Sequence, residues 1–129
     1  MSNGFGQPIS ILIDENFSSA SGNTPPSGWS NIIINGVSTD VWRFDNSGAR
    51  SMNTPMTAPF AIFDSDAYSN GGGLEEVSLE SPVFNASSLG VLNLAFDYYF
   101  LGGYGGEMYV DVYNGSTWTN VLSRSEEHT

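Results

Sequence analysis

The chain has 129 residues and a mass of 13.9 kDa, which is room for one domain and little more. Fourteen acidic residues stand against three arginines and no lysine, for a net charge of -11, so the chain repels phosphate backbones and anionic membranes and nucleic-acid binding is excluded as a primary role. The lack of cysteine removes disulfides and thiolate metal sites, and no apolar run approaches the roughly 20 residues of a membrane helix.

Fifteen glycines, six prolines and frequent Ser, Asn and Thr interrupt every candidate helix, while 40% hydrophobic and 13% aromatic residues suffice for a core. Short β-rich runs follow one another along the chain. Residues 9–13 place Ile at every second position and predict a first strand. The Ser, Gly, Asn and Pro of residues 18–28 predict a surface loop. Residues 29–34 predict a second strand, ended by the Asn35-Gly36 turn signal. Residues 41–44 and 60–63 predict two more. In residues 75–81 Val77 and Leu79 alternate with Glu76, Ser78 and Glu80.

The strongest alternation lies further on. Leu92, Leu94, Phe96, Tyr98 and Phe100 fall at period two, and after a glycine loop so do Met108, Val110 and Val112. This predicts a core-facing apolar side on both strands. Asp97, Tyr99, Glu107, Tyr109, Asp111 and Tyr113 then point the other way. Asn114-Gly115 marks a tight turn before a last strand from Trp118. Roughly eight short strands without helices predict an all-β antiparallel sandwich as a single domain over residues 1–123, which the resemblance described below narrows to a jelly-roll type.

The terminal hexapeptide, Arg124 to Thr129, matches the translation of a widely used sequencing adapter. Its expected consequences are a fold incomplete at its C-terminal end and no structural contribution from residues 124–129. His128, the one histidine, falls in that tail.

With His128 set aside, neither a nucleophilic triad nor histidine-ligated zinc can be assembled. Glu107 and Asp111 share a strand face about 13 Å apart, too far for a glycosidase pair, and read as solvated acids. The run 102–110, GGYGGEMYV, is one imperfect copy of a calcium-binding repeat that works only when stacked, and reads as a hairpin loop. Asp64, Ser65, Asp66 and Asn70 offer hard oxygen donors near one loop, although the EF-hand pattern fails and by spacing alone they read as a polar turn. Trp29, Trp42 and Trp118 read as core rather than as sugar-stacking residues. Asp97, Tyr99, Tyr109, Asp111 and Tyr113 form a candidate ligand face suited to hydroxyl-rich molecules or a protein partner.

The motif order resembles a MAM-like jelly roll of the choice-of-anchor J type, related to cleaved-adhesin domains. The residues that carry it are Glu15-Asn16-Phe17, Pro26 through Trp29, Trp42, Phe60 to Asp64, Leu79 to Phe84, Leu94 to Tyr98, Val110 to Val112, Gly115 and Trp118. The resemblance implies a non-catalytic module of a larger secreted bacterial protein, an adhesin, peptidase or glycan-degrading enzyme. It also implies structural Ca2+ held by Glu15 and Asp64, with Asp66 beside them. The expected function is extracellular or cell-surface adhesion or substrate binding, with a glycan or an extracellular protein as partner and no membrane insertion. The alternatives are a carbohydrate-binding module using the Tyr/Asp face, or a non-catalytic segment of a secreted enzyme.

Overall fold

The computed structural model describes residues 10–68, 73–101 and 105–125. They fall into two compact units divided after Ala95, each with its own two-stranded antiparallel sheet. The described chain is all-β apart from a single helical turn, α1 (Ser65–Tyr68). No described helix is long and apolar enough to cross a membrane.

In the first unit, β1 (Ser30–Asn35) pairs with β2 (Glu76–Glu80), with Ser30 opposite Glu80 and Ile33 opposite Val77. A register shift between Ile33 and Asn35 precedes Gly36, which sits at φ 127°. A side chain there would run into the Asp40 carboxylate. Asp40 is fully buried and its Oδ2 accepts the Val37 N–H at 2.6 Å, so its short side chain closes the turn that ends β1. Asn31 replaces a missing strand: its side-chain Oδ1 accepts from Trp42 N at 3.0 Å and its Nδ2 donates to Trp42 O at 2.7 Å and Asn23 O at 3.0 Å. The amide thereby pairs with backbone as a neighbouring strand would.

Aromatic side chains make the interior of this unit. Phe17 lies 5.5 Å from both Trp29 and Phe44, edge-on to the first and tilted on the second. Phe44 and Phe60 are the buried hydrophobic residues among those described. A second cluster joins Trp42, Phe63 and Tyr68.

The second unit is a hairpin of β3 (Glu107–Tyr113) and β4 (Trp118–Ser125). Gly115 takes φ 96°, and Asn114 Oδ1 accepts the N–H groups of Ser116 and Thr117, so the Asn-Gly signal builds the turn it predicts. Val110 faces Leu122 and Asp111 faces Asn120, leaving Val121 as the extra residue of a bulge. Asn120 Nδ2 stitches that bulge through Val110 O, Leu122 O and Asp111 Oδ1.

Several expectations are corrected. Among the described residues four strands form rather than the roughly eight expected. Residues 10–13 make no strand, and Ile9 lies outside the described residues. Residues 41–44 and 60–63 form no strand; their backbones meet at an isolated bridge between Arg43 and Ile62. The segment 92–101 also makes no strand, and Leu92, Leu94, Phe96 and Tyr98 are exposed rather than core-facing, with Phe100 half-buried. Alternation selects a face only after a neighbouring strand has accepted the backbone groups, and among the described residues no backbone group pairs with the backbone of this segment. In β3 the alternation does hold: Met108 and Val110 are half-buried while Glu107, Tyr109, Asp111 and Tyr113 are exposed, although Val112 is exposed as well. Arg124 and Ser125 extend β4 opposite Met108 and Glu107, so these two tail residues do contribute to the structure. A strand continues as long as its partner's edge does. Residues 126–129, His128 included, lie outside the described residues.

Candidate functional site

Glu15, Asp64 and Asp66 were expected to hold an ion. Glu15 Oε1 accepts the Phe17 N–H at 2.5 Å, and Phe17 sits at φ 61°, so the carboxylate braces a left-handed turn. Both oxygens of Asp64 accept from Arg50, Nε at 2.6 Å and Nη2 at 2.8 Å. The Asp66 carboxylate lies 3.9 Å from the same guanidinium and is exposed. Asn46 sets Arg50 in place, its amide pairing with Arg50 N and O at 3.0 and 2.9 Å. Gly48 packs so closely that a Cβ there would strike Asp64 Oδ2 and Ala67. Among the described residues no group of three or more acidic or histidine side chains could hold a metal. Asn70 lies outside the described residues. Asp64 and Asp66 as placed do not fit a calcium site, because the Arg50 guanidinium lies between their carboxylates, and Glu15 is turned to the Phe17 N–H. Millimolar Ca2+ is expected to leave the melting temperature unchanged; a rise measured by calorimetry would show that the ion displaces Arg50.

Tyr68 closes this corner. Its hydroxyl accepts from Asp64 N at 2.7 Å and donates to Ile62 O at 3.2 Å, and Arg43 lies over its ring at 5.4 Å. Burial pushes the phenol up to about 12. The folded value is raised above the unfolded one, so the stabilisation is fully present below pH 10 and is lost as pH rises through about 12. Alkaline denaturation should therefore set in at lower pH in wild type than in Tyr68→Phe, each measured relative to its own stability at pH 8. Arg43 also pairs with Asp45, and that hydrogen bond holds the Asp45 carboxyl below its ordinary range.

The other candidate residues lie on the hairpin. Cross-strand neighbours share a face, and on one face Tyr109 stands opposite Ser123, Asp111 opposite Asn120, and Tyr113 opposite Trp118. The Tyr113 and Trp118 rings are 5.0 Å apart at 38°, with side chains 48% and 55% exposed. Asp111 Oδ1 accepts from Asn120 Nδ2 at 2.8 Å, and Tyr109 donates to Glu107 Oε2 at 2.5 Å. Three of the five expected ligand residues, Tyr109, Asp111 and Tyr113, thus come together. Asp97 and Tyr99 belong to the same unit but to no strand. Trp118 and Asn120 were missed as members of this face. Trp118 was assigned to a core on residue type alone; its place directly after the Asn114-Gly115 turn was the signal that it would stand across from Tyr113.

No protein-family model, curated protein or solved structure matches the chain. The hairpin face is therefore characterised by its own chemistry: an exposed ring pair beside a hydrogen-bonded carboxylate and amide.

Proposed function

We propose that the chain is a non-catalytic binding module of an extracellular or cell-surface protein, serving adhesion or substrate capture through the Tyr109–Asp111–Tyr113–Trp118 face. The motif order that resembles the choice-of-anchor J jelly roll supports the setting. The exposed Tyr113–Trp118 pair beside the Asp111–Asn120 pair carries the reading. Large aromatic side chains left half-exposed and adjacent on a sheet are energetically unfavourable in water, and contiguous patches of this kind mark contact surfaces. The face offers carboxylates, an amide and hydroxyls beside two open rings, a set suited to holding a hydroxyl-rich ligand or a protein partner.

The test is a binding panel of purified extracellular glycoproteins and soluble polysaccharides, measured by biolayer interferometry. Wild type should bind at least one member, with at least a tenfold loss in the Tyr113→Ala/Trp118→Ala double variant. Equal binding by both proteins across the panel would show that this face is not the contact surface.

A further inference from the structure

We infer that the ligand of this face is a neutral glycan, a chain of uncharged pyranose sugars, with one ring seated on the Tyr113–Trp118 pair and its hydroxyls on Asp111 and Asn120. The inference rests on reading the face as a contact surface and names what it contacts. A pyranose has an apolar C–H side and a rim of hydroxyls. The C–H side suits an aromatic ring left open to solvent, where dispersion contacts accumulate. The rim's hydroxyls donate, and need acceptors fixed within one sugar's width. Asp111 lies two residues from Tyr113 on β3, about 7 Å along the strand, and its carboxylate only accepts. Asn120 faces Asp111, and its Nδ2 protons are already taken by Asp111 Oδ1 and main-chain carbonyls, so the pair offers a sugar acceptors, to which its hydroxyls donate. Asp111 Oδ2 and Asn120 Oδ1 accept from no described residue, leaving two acceptors directed by a hydrogen bond that already fixes both side chains. The bulge at Val121 and the three acceptors held by Asn120 Nδ2 keep that amide in place without any ligand.

Charge selects among glycans. Glu107 and Asp111 lie on the face, and Arg124, the one basic residue from 96 to 125, pairs across from Met108 and reaches Tyr98 instead. In a chain of net charge -11 this face repels uronate, sulfated or sialylated chains. The same acids argue against a second copy as occupant, because a two-fold pairing of the face would set carboxylates against carboxylates.

Native affinity electrophoresis tests the inference, since the acidic chain migrates readily. Gels carry galactomannan, xyloglucan or a soluble β-glucan as neutral probes and polygalacturonate as the anionic one. Wild type should be retarded by at least one neutral polymer and not by polygalacturonate. Tyr113→Ala and Trp118→Ala should weaken retardation at least tenfold, Tyr113→Phe should keep it, and Thr119→Ala on the opposite face should leave it unchanged, with circular dichroism confirming the fold of each. Absence of retardation in every neutral gel, equal retardation by polygalacturonate, or equal retardation of Tyr113→Ala would each overturn the inference. Face-dependent binding to an extracellular protein stripped of glycans, without retardation by neutral polymers, would overturn it while leaving the contact-surface reading intact.

Discussion

Phe44→Ala is expected to unfold the first unit or bring it to the edge of unfolding. Phe44 is 8% exposed, packs on Phe17, and donates its N–H to Gly22 O at 2.8 Å. Through Phe17 it joins Trp29 to the loop that precedes β1. Only Phe44 and Phe60 are buried hydrophobic residues among those described, so the cavity left by alanine has few neighbours able to close it. A loss of about 3–5 kcal/mol follows for a buried Phe, against roughly 5–15 kcal/mol for a whole small domain. Urea denaturation followed by tryptophan fluorescence measures it. A midpoint shift equivalent to less than about 1 kcal/mol would place the interior of this unit elsewhere.

The second large effect is expected at Asn31. Asn31→Leu keeps much of the side-chain volume but removes three hydrogen bonds to Trp42 and Asn23, two of them to Trp42 backbone that has no strand partner there. The cost is about 2–4 kcal/mol, the upper part coming from backbone groups left without partners. Asn31→Asp separates hydrogen bonding from packing. An ionised carboxylate accepts from Trp42 N but cannot donate to Trp42 O, whereas the protonated acid does both. Its folded pKa is therefore raised, and the stability it contributes is present at low pH and lost as pH rises through that value. The penalty of Asn31→Asp relative to wild type should be smaller at pH 4 than at pH 7. An unchanged penalty would mean that the Trp42 carbonyl does not depend on this side chain.

These residues also show how much could be read in advance. β1, β2, β3 and β4 were legible because each combined a β-rich run with a glycine or Asn-Gly signal at its end, and the strand that each needed lay elsewhere in the same chain. Residues 92–100 had the most regular alternation and formed no strand, since alternation describes side chains and a ladder depends on a partner's backbone. The pairing of Arg50 with Asp64 was illegible for another reason. Carboxylates fourteen and sixteen residues away from one arginine could serve an ion, a cation or the solvent, and only the turn fixed by Asn46 and Gly48 brings the guanidinium between them. Tyr109, Asp111 and Tyr113 were legible as one face because period two is a property of β3 alone. Their partners Trp118 and Asn120 required the register, which the bulge at Val121 shifts by one residue.

All three arginines are engaged locally, Arg43 with Asp45, Arg50 with Asp64 and Asp66, and Arg124 with Tyr98. No mobile positive charge is left on the described surface to neutralise the remaining acids, so those carboxylates repel one another at distances a few ångströms to a Debye length apart. Salt then acts in the opposite direction to its usual effect on ion-paired proteins. Screening the self-repulsion is expected to outweigh weakening the short Arg43–Asp45 and Arg50–Asp64 pairs, so the urea midpoint should rise as sodium chloride goes from millimolar to molar. A midpoint that falls with added salt would show instead that the local arginine pairs govern the response.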